Sequence, residues 1–284
     1  MTYRKLLRGL RGMNNLGAAH AEWSEDIMNA HKSGKAARKS AAQGSASRRL
    51  TAAEKLRRRR VAQLYREING FGLMAEERRL RGNRSVVYGE LAPNGVRKLL
   101  RWLRPGKTDV FYDLGSGVGK LVLELGMAAA LKKCVGIEVA GSRWSGSQSA
   151  AMQAKKEGWI KAKRLEFRKE SFLDSDLGDA TILYSCSTCF SARLMERLGR
   201  KIAGLNRRLI FVTFQMLPRP RRGFEMIEKL SLDTSWRTQV TAYVYEVAGG
   251  SGRKRAFEVP IDRLTKFRSP AYSRRVNESK KLST

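Results

Sequence analysis

The sequence is poor in several things, and each shortage excludes a class of protein. It has three cysteines in 284 residues. That is too few for a disulfide framework in a chain of this size, and it fits a reducing compartment. It has two histidines, His20 and His31, and neither has a neighbour at metal-ligand spacing, so both read as solvated. No apolar run approaches the about 18 residues a membrane span needs. Arg4, Lys5 and Arg8 are not followed by a long apolar stretch, which argues against a secretory signal. Acid is scarce too: 26 Asp and Glu stand against 57 Lys and Arg, a net charge of +31. Such an excess favours polyanions, with nucleic acid or chromatin the natural partner. A membrane surface is a weaker fit, because no basic amphipathic helix with an aromatic face is evident.

What is present centres on Asp109 to Glu138, DVFYDLGSGVGKLVLELGMAAALKKCVGIE. Val110-Phe111-Tyr112 is a short strand-like run that reaches Asp113 and turns through Gly115-Ser116-Gly117-Val118-Gly119. A helical segment follows from Lys120 to Leu131, then a second apolar run, Cys134 to Ile137, ending in Glu138. This is a βαβ unit with its ligand side marked. The glycines let backbone approach a ligand closely, and an acid after the second strand can accept two ribose hydroxyls. Dinucleotide enzymes want G-x-G-x-x-G and a pyrophosphate at the helix N-terminus. Here the spacing is G-x-G-x-G behind an acid. That variant resembles the class I methyltransferases, which bind S-adenosylmethionine. Asp113 then faces the cationic methionine end, where a pyrophosphate would be repelled. The alternative is a plain α/β domain whose glycines serve tight packing.

Residues 1–47 carry little periodic apolar pattern and read as a basic flexible arm. Residues 1–60 hold 15 basic and 4 acidic side chains, enough to neutralise several phosphates in a salt-dependent way. From Arg48 to Asn69 apolar residues recur at threes and fours, with Thr51 and Glu54 at capping-box spacing. The run Arg57 to Arg60 on this helix reads equally as a nuclear-import signal, a phosphate contact or a solvated face. Val86 to Gly95 is a loop that can fold over the cofactor, with Tyr88 and Glu90 its chemically equipped residues, or an ordinary turn in which Tyr88 packs on the domain. A helix from Pro93 to Leu103 follows.

Beyond Glu138, Gly141 to Gly158 reads as a helix and Leu165 to Arg168 as a third strand. Ser171 and Phe172 follow at the strand end where class I methyltransferases seat adenine. Ala180 to Ser185 is a fourth strand. Its end carries Cys186-Ser187-Thr188-Cys189-Phe190, a C-x-x-C with only Cys134 left to complete a zinc site and no histidine near. No metal is expected. The Asn/Asp-Pro-Pro-aromatic tetrad of base-amine methylases is missing, which argues against adenine N6 or cytosine N4 as the acceptor. Ser191 to Leu205 is a basic amphipathic helix and Arg208 to Phe214 a fifth strand. Leu230 to Trp236 and Val240 to Val247 read as a closing antiparallel pair, with Tyr243 and Tyr245 on one face. Residues 253–284 hold 10 basic and 3 acidic side chains and make a second basic arm.

Val87-Tyr88-Gly89-Glu90, then Asp113-Leu114-Gly115-Ser116-Gly117-Val118-Gly119, then Gly136-Ile137-Glu138 together resemble the disruptor-of-telomeric-silencing family, the histone lysine methyltransferases that lack a SET domain. The resemblance spans roughly residues 86–247. It implies an α/β fold with a Rossmann-like, mostly parallel seven-stranded sheet, helices on both faces and a helical N-terminal extension. It divides the chain into the arm at 1–47, the extension and cofactor-covering loop at 48–104, the methyltransferase domain at 105–248 and the C-terminal arm at 249–284.

By the same resemblance Tyr88, Gly89, Glu90, Asp113, Gly115, Ser116, Gly117, Lys120, Glu138, Ser171, Phe172 and Cys186 surround S-adenosyl-L-methionine. Lys120 stands where a glutamine is common, Leu91 where a threonine is common, and Cys186 near a family asparagine. Trp236 and Tyr243 match aromatics of a lysine channel, to which Phe190 is a further candidate wall; the alternative is that Trp236 and Tyr243 are simply core. The implied substrate is a lysine in the globular core of histone H3 on the nucleosome, reached in the nucleus by a monomer whose basic arms hold histone and DNA. An RNA methyltransferase and a catalytically inactive chromatin-binding module are the rival readings.

Overall fold

An unbroken apolar strand needs cover on both faces, and Val110-Phe111-Tyr112 obtains it at the middle of a sheet. The computed structural model describes residues 49–68, 70, 88–205, 207–220 and 222–249. The expected basic arms, apart from Gly249 at the start of the C-terminal one, and Val86-Val87 of the covering loop lie outside these residues.

In chain order the elements are α1 (Ala52–Leu64), α2 (Pro93–Leu103), β1 (Val110–Leu114), α3 (Lys120–Ala128), β2 (Lys133–Glu138), α4 (Gly141–Lys156), β3 (Leu165–Lys169), β4 (Ile182–Ser185), a 3-10 turn (Ser187–Cys189), α5 (Ala192–Ala203), β5 (Leu209–Thr213), β6 (Phe224–Leu232) and β7 (Val240–Val247). The seven strands form one sheet in the order β3-β2-β1-β4-β5-β7-β6. β3, β2, β1, β4 and β5 run parallel, and β7 runs antiparallel to both β5 and β6. This is the class I methyltransferase architecture.

Alternation along the strands splits the core in two. Phe111, Cys134, Tyr184, Val212 and Val244 pack with residues of α1, α2, α3 and α4. Val110, Tyr112, Val135, Leu183 and Phe211 pack with Met195, Leu198 and Ile202 of α5. Helices therefore lie on both faces, and the carboxyl ends of the parallel strands form a common edge.

Two elements depart from the sequence reading. The first helix starts at the Thr51 cap and stops at Leu64. Thr51 Oγ1 accepts from the Glu54 amide at 3.2 Å, and Glu54 Oε2 accepts from the Thr51 amide at 2.8 Å, a reciprocal cap that fixes the start. Of its apolar positions Val61 and Leu64 are buried, while Leu56 is 47% exposed. The sixth strand is Phe224–Leu232, not Leu230 to Trp236. It is an edge strand of mixed composition with a register shift between Met226 and Glu228, so its alternation is broken and Trp236 falls in the following turn.

The Arg57 to Arg60 run is largely committed within the fold. Arg57 Nε lies 3.6 Å from Glu124, Arg58 donates to Asn94 Oδ1 at 2.8 Å, and the Arg60 guanidinium sits 5.0 Å over the Trp159 ring.

Candidate active site

The site is built where β1 and β2 end. Gly117 has φ +55°, a left-handed conformation that L side chains rarely adopt. The turn it makes brings its amide to Glu138 Oε2 at 2.8 Å, and Ala140 N donates to Glu138 Oε1 at 2.8 Å. The Glu138 carboxylate is thus buried and held in one orientation, and each oxygen keeps a lone pair for a further donor.

Over the glycine turn lies the segment Tyr88-Gly89-Glu90-Leu91. A Cβ on Gly117 would fall 2.1 Å from Tyr88 Cε2, so the ring rests directly on the glycine backbone. The Arg143 guanidinium lies 4.8 Å from the same ring, and Arg143 Nε donates to Gly70 O at 3.0 Å. Tyr88 Oη donates to Glu90 Oε1 at 2.5 Å, and Lys120 Nζ is ion-paired with Glu90 Oε2. Lys120 Nζ also sits 5.0 Å over the Tyr65 ring, whose hydroxyl donates to Val118 O at 2.9 Å. Burial first, and then the Glu90 charge, push the Tyr88 phenol well up, so it stays a neutral donor.

The segment is fastened to the β6–β7 turn. Ala92 N donates to Asp233 O at 2.9 Å, Ser235 N donates to Glu90 O at 2.8 Å, and Glu90 N donates to Ser235 Oγ at 3.2 Å. Leu91 and Thr234 form an antiparallel bridge. Gly89 lies against Trp236: a Cβ there would stand 2.2 Å from Trp236 Cζ3.

Beneath this cover is a pocket. Tyr88, Gly89, Glu90 and Lys120 line one part of it, and Asp113, Gly115, Ser116 and Cys186 another. Among the described residues neither Asp113 Oδ1 nor Ser116 Oγ has a hydrogen-bond partner, although both atoms are buried. Burial, and behind it the charge of Glu138, push the Asp113 carboxyl well above the usual carboxylate range. A buried acceptor without a donor is costly, and a ligand cation at this point relieves the cost. Burial and then Asp113 push the Cys186 thiol up to about 12, so it stays a neutral thiol. The residues present therefore fit a ligand with a cationic group at Asp113 and hydroxyls at Glu138.

The other expected site residues fall elsewhere. Phe172 stacks on Phe190, with ring centroids 5.5 Å apart and 19° between planes. Phe190 Cζ lies 3.6 Å from a Cβ position on Gly115, so Phe190 backs the glycine turn. Ser171 is occupied by its own turn: its Oγ accepts from Leu173 N at 3.2 Å, and its carbonyl accepts from Asp174 N at 2.9 Å and Ser175 N at 3.0 Å.

The three aromatics read as walls of one channel do not form one wall. Trp236 packs edge-on against Phe214 at 6.3 Å, on the face covered by α1 to α4. Phe190 and Tyr243 belong to the opposite cluster, because alternation along β7 sends Tyr243 away from Ala242 and Val244. Tyr243 pairs in register with Thr213, the last residue of β5. Trp236 and Tyr243 thus bracket the carboxyl end of β5 from opposite faces.

Sequence reasoning missed Tyr65, Arg143, Ser235 and Glu124. Glu124 left a readable signal, an acid inside the apolar run LVLELGM; it is buried, lines the pocket and has its pKa pushed up to about 7 by burial.

Fold and pocket together define a class I methyltransferase domain. The chain belongs to the family described as "Histone methylation protein DOT1", whose model matches residues 77–243. It is 31% identical over 126 residues to a "Histone-lysine N-methyltransferase, H3 lysine-79 specific" of Caenorhabditis elegans, covering 42% of this chain and 13% of that protein. A Drosophila melanogaster protein of the same description is 29% identical over 127 residues, covering 42% of this chain and 7% of that protein. A "Protein-lysine N-methyltransferase" of Saccharolobus islandicus (strain REY15A) is 28% identical over 98 residues, covering 34% of this chain and 58% of that protein. The matched stretches thus take in only part of each relative.

Proposed function

We propose that the protein is an S-adenosylmethionine-dependent methyltransferase acting on a lysine in the globular core of histone H3, presented on the nucleosome in the nucleus. The observation that carries the reading is the unpartnered, buried Asp113 Oδ1 beside the Glu138 carboxylate, under the Tyr88–Glu90 cover, in a chain of this family. The cofactor supplies an electrophilic methyl group on a sulfonium.

The protein's part is to hold and to exclude. Asp113 takes the cationic methionine end, and Glu138, fixed by the Gly117 and Ala140 amides, receives ribose hydroxyls. Glu90 is already engaged by Tyr88 and Lys120, so its carboxylate orients the cover, while Asp113 makes the direct contact. Phe172 and Phe190 offer the apolar surface behind the glycine turn for the adenine side. The acceptor lysine needs a lone pair, and its free pKa is about 10.4. Trp236 and Tyr243 take water away from it, which favours the neutral amine, while their ring faces tolerate the incoming cation. No strong base is required, and most of the acceleration comes from positioning. The basic arms hold DNA and histone, and the enzyme acts as a monomer.

The test is methyl transfer from radiolabelled S-adenosylmethionine to nucleosomes, free histones, bulk RNA and naked DNA in parallel, with the product resolved on a gel. Label on histone H3, stronger on nucleosomes than on free histones, is the expected result. Label on RNA alone overturns the substrate. Absence of cofactor binding by calorimetry overturns the enzyme reading in favour of a binding module.

A further inference from the structure

Helix α5 runs from the carboxyl edge of the sheet, capped by Ser191, whose Oγ accepts from the Leu194 amide. Met195, Leu198, Gly199 and Ile202 are buried against the sheet. The opposite ridge is Arg193, Arg197 and Arg200, all exposed. The loop after β5 lies along the same helix. Leu217 is buried in the cluster that holds Met195 and Leu198, its Cδ2 lies 3.5 Å from a Cβ position on Gly199, and its amide donates to Tyr245 Oη at 3.2 Å. That anchor carries exposed Arg219 and Arg222. Among the described residues no ion pair involves any of these five arginines. Glu196 is the acid on α5 and is half-buried. Arg57, Arg164, Arg168 and Arg208, by contrast, are paired with glutamates.

We propose that the outer face of α5, with Arg219 and Arg222 beside it, is a docking surface of the folded domain for the phosphate backbone of duplex DNA. Arg193 to Arg200 spans roughly 10 Å of helix at about 1.5 Å per residue. Over that length one strand of a duplex, advancing about 3.4 Å per nucleotide, presents about three phosphates. Guanidinium forks suit phosphate oxygens. The helix begins where β4 ends, beside Cys186, so DNA held along it lies next to the edge at which an acceptor lysine enters. The inference goes beyond the proposed enzyme reading and stands on charge and placement alone, so its test needs neither cofactor nor histone.

The experiment compares the full chain with Arg193→Gln/Arg197→Gln/Arg200→Gln and with a control of equal charge loss on another face, Lys156→Gln/Lys161→Gln/Lys163→Gln. Binding of a fluorescent DNA duplex is followed by anisotropy across a salt series, with circular dichroism to show that each variant is folded. The arms contribute to all three proteins alike. The arginine variant is expected to lose about 2.7 from the magnitude of the slope of log K against log salt, at about 0.9 per phosphate, and at least about tenfold in affinity at physiological salt. The lysine control is expected to lose less than half of that. Equal losses in the two variants, or an unchanged slope in the arginine variant, overturn the proposal. Weakened nucleosome binding with naked-DNA binding intact also overturns it, and assigns the surface to an acidic protein face. A methyl-transfer failure with the expected DNA result would sink the enzyme reading and leave this one standing.

Discussion

The ring of Tyr88 occupies the space that a side chain on Gly117 would need, since a Cβ there would lie 2.1 Å from Tyr88 Cε2. Cover and glycine turn are therefore matched surfaces. Gly117→Ala meets this contact and also the left-handed φ of +55°, a conformation costing about 1–2 kcal/mol for an L residue. We expect at least about tenfold weaker cofactor binding, each factor of ten being about 1.4 kcal/mol, as measured by calorimetry with S-adenosylhomocysteine. Gly117→Arg is expected to abolish that binding while leaving nucleosome binding in place. A folded Gly117→Arg protein that no longer binds nucleosomes would contradict this division of labour.

Asp113 predicts a proton count. Burial, and behind it Glu138, holds its carboxyl well above the usual range in the free protein, which favours the protonated form, whereas a bound ammonium favours the ionised one. Cofactor binding should release a proton, and affinity should rise with pH through the raised carboxyl titration, as linkage requires when the bound state holds fewer protons. Calorimetry in buffers of different ionisation enthalpy reads the release directly. Asp113→Asn should remove it and weaken binding by about tenfold or more; an unchanged proton count in that variant would move the titration to another group.

Glu124 gives a stability prediction of definite sign. Its folded-state pKa is raised from 4.5 to about 7, burial outweighing the lowering influence of Arg57. Between those values the folded state holds more proton than the unfolded chain, so stability falls as pH rises through the window and levels off above it. At about 1.4 kcal/mol per unit the loss is roughly 3 kcal/mol. Urea denaturation from pH 5 to 8 should show this decline in the wild type and a reduced one in Glu124→Gln. Parallel curves for the two proteins would mean that Glu124 is ionised throughout.

Trp236 stands over Gly89 and against Phe214, so it separates a substrate role from a packing role. Trp236→Ala should raise KM for the lysine substrate about tenfold while changing cofactor affinity less than about threefold, a split expected where desolvation of the acceptor is what the ring provides. An equal loss of both would make Trp236 a prop for the cover alone.

The sheet and the glycine turn were legible because each rests on local signals. Val110 to Tyr112 is an unbroken apolar run, Glu138 closes the next, and the Asp113–Gly119 spacing is specific. The sixth strand was misplaced because Glu225, Glu228 and Lys229 interrupt its alternation and a bulge shifts its register. The grouping of aromatics was not legible either. Trp236 and Tyr243 are close in sequence, yet a turn places one on each face, and nothing local records that. Ser235, fastened to Glu90, left no sequence signal at all, since its role depends on a partner from the other end of the domain. Glu124 could have been found by asking why an acid interrupts LVLELGM.

The fastening of Glu90 to Ser235, and of Ala92 to Asp233, has a consequence for biosynthesis. The pocket's cover precedes β1 in the chain, but the turn that holds it follows β6. A nascent chain can assemble β1 to β5 in order and still lack a closed site until β6 and the turn after it have left the ribosome. Ligand binding is therefore a property acquired only once the turn after β6 has been made, and a chain truncated before Phe224 would carry every residue of the glycine turn and still leave the cover without its anchor.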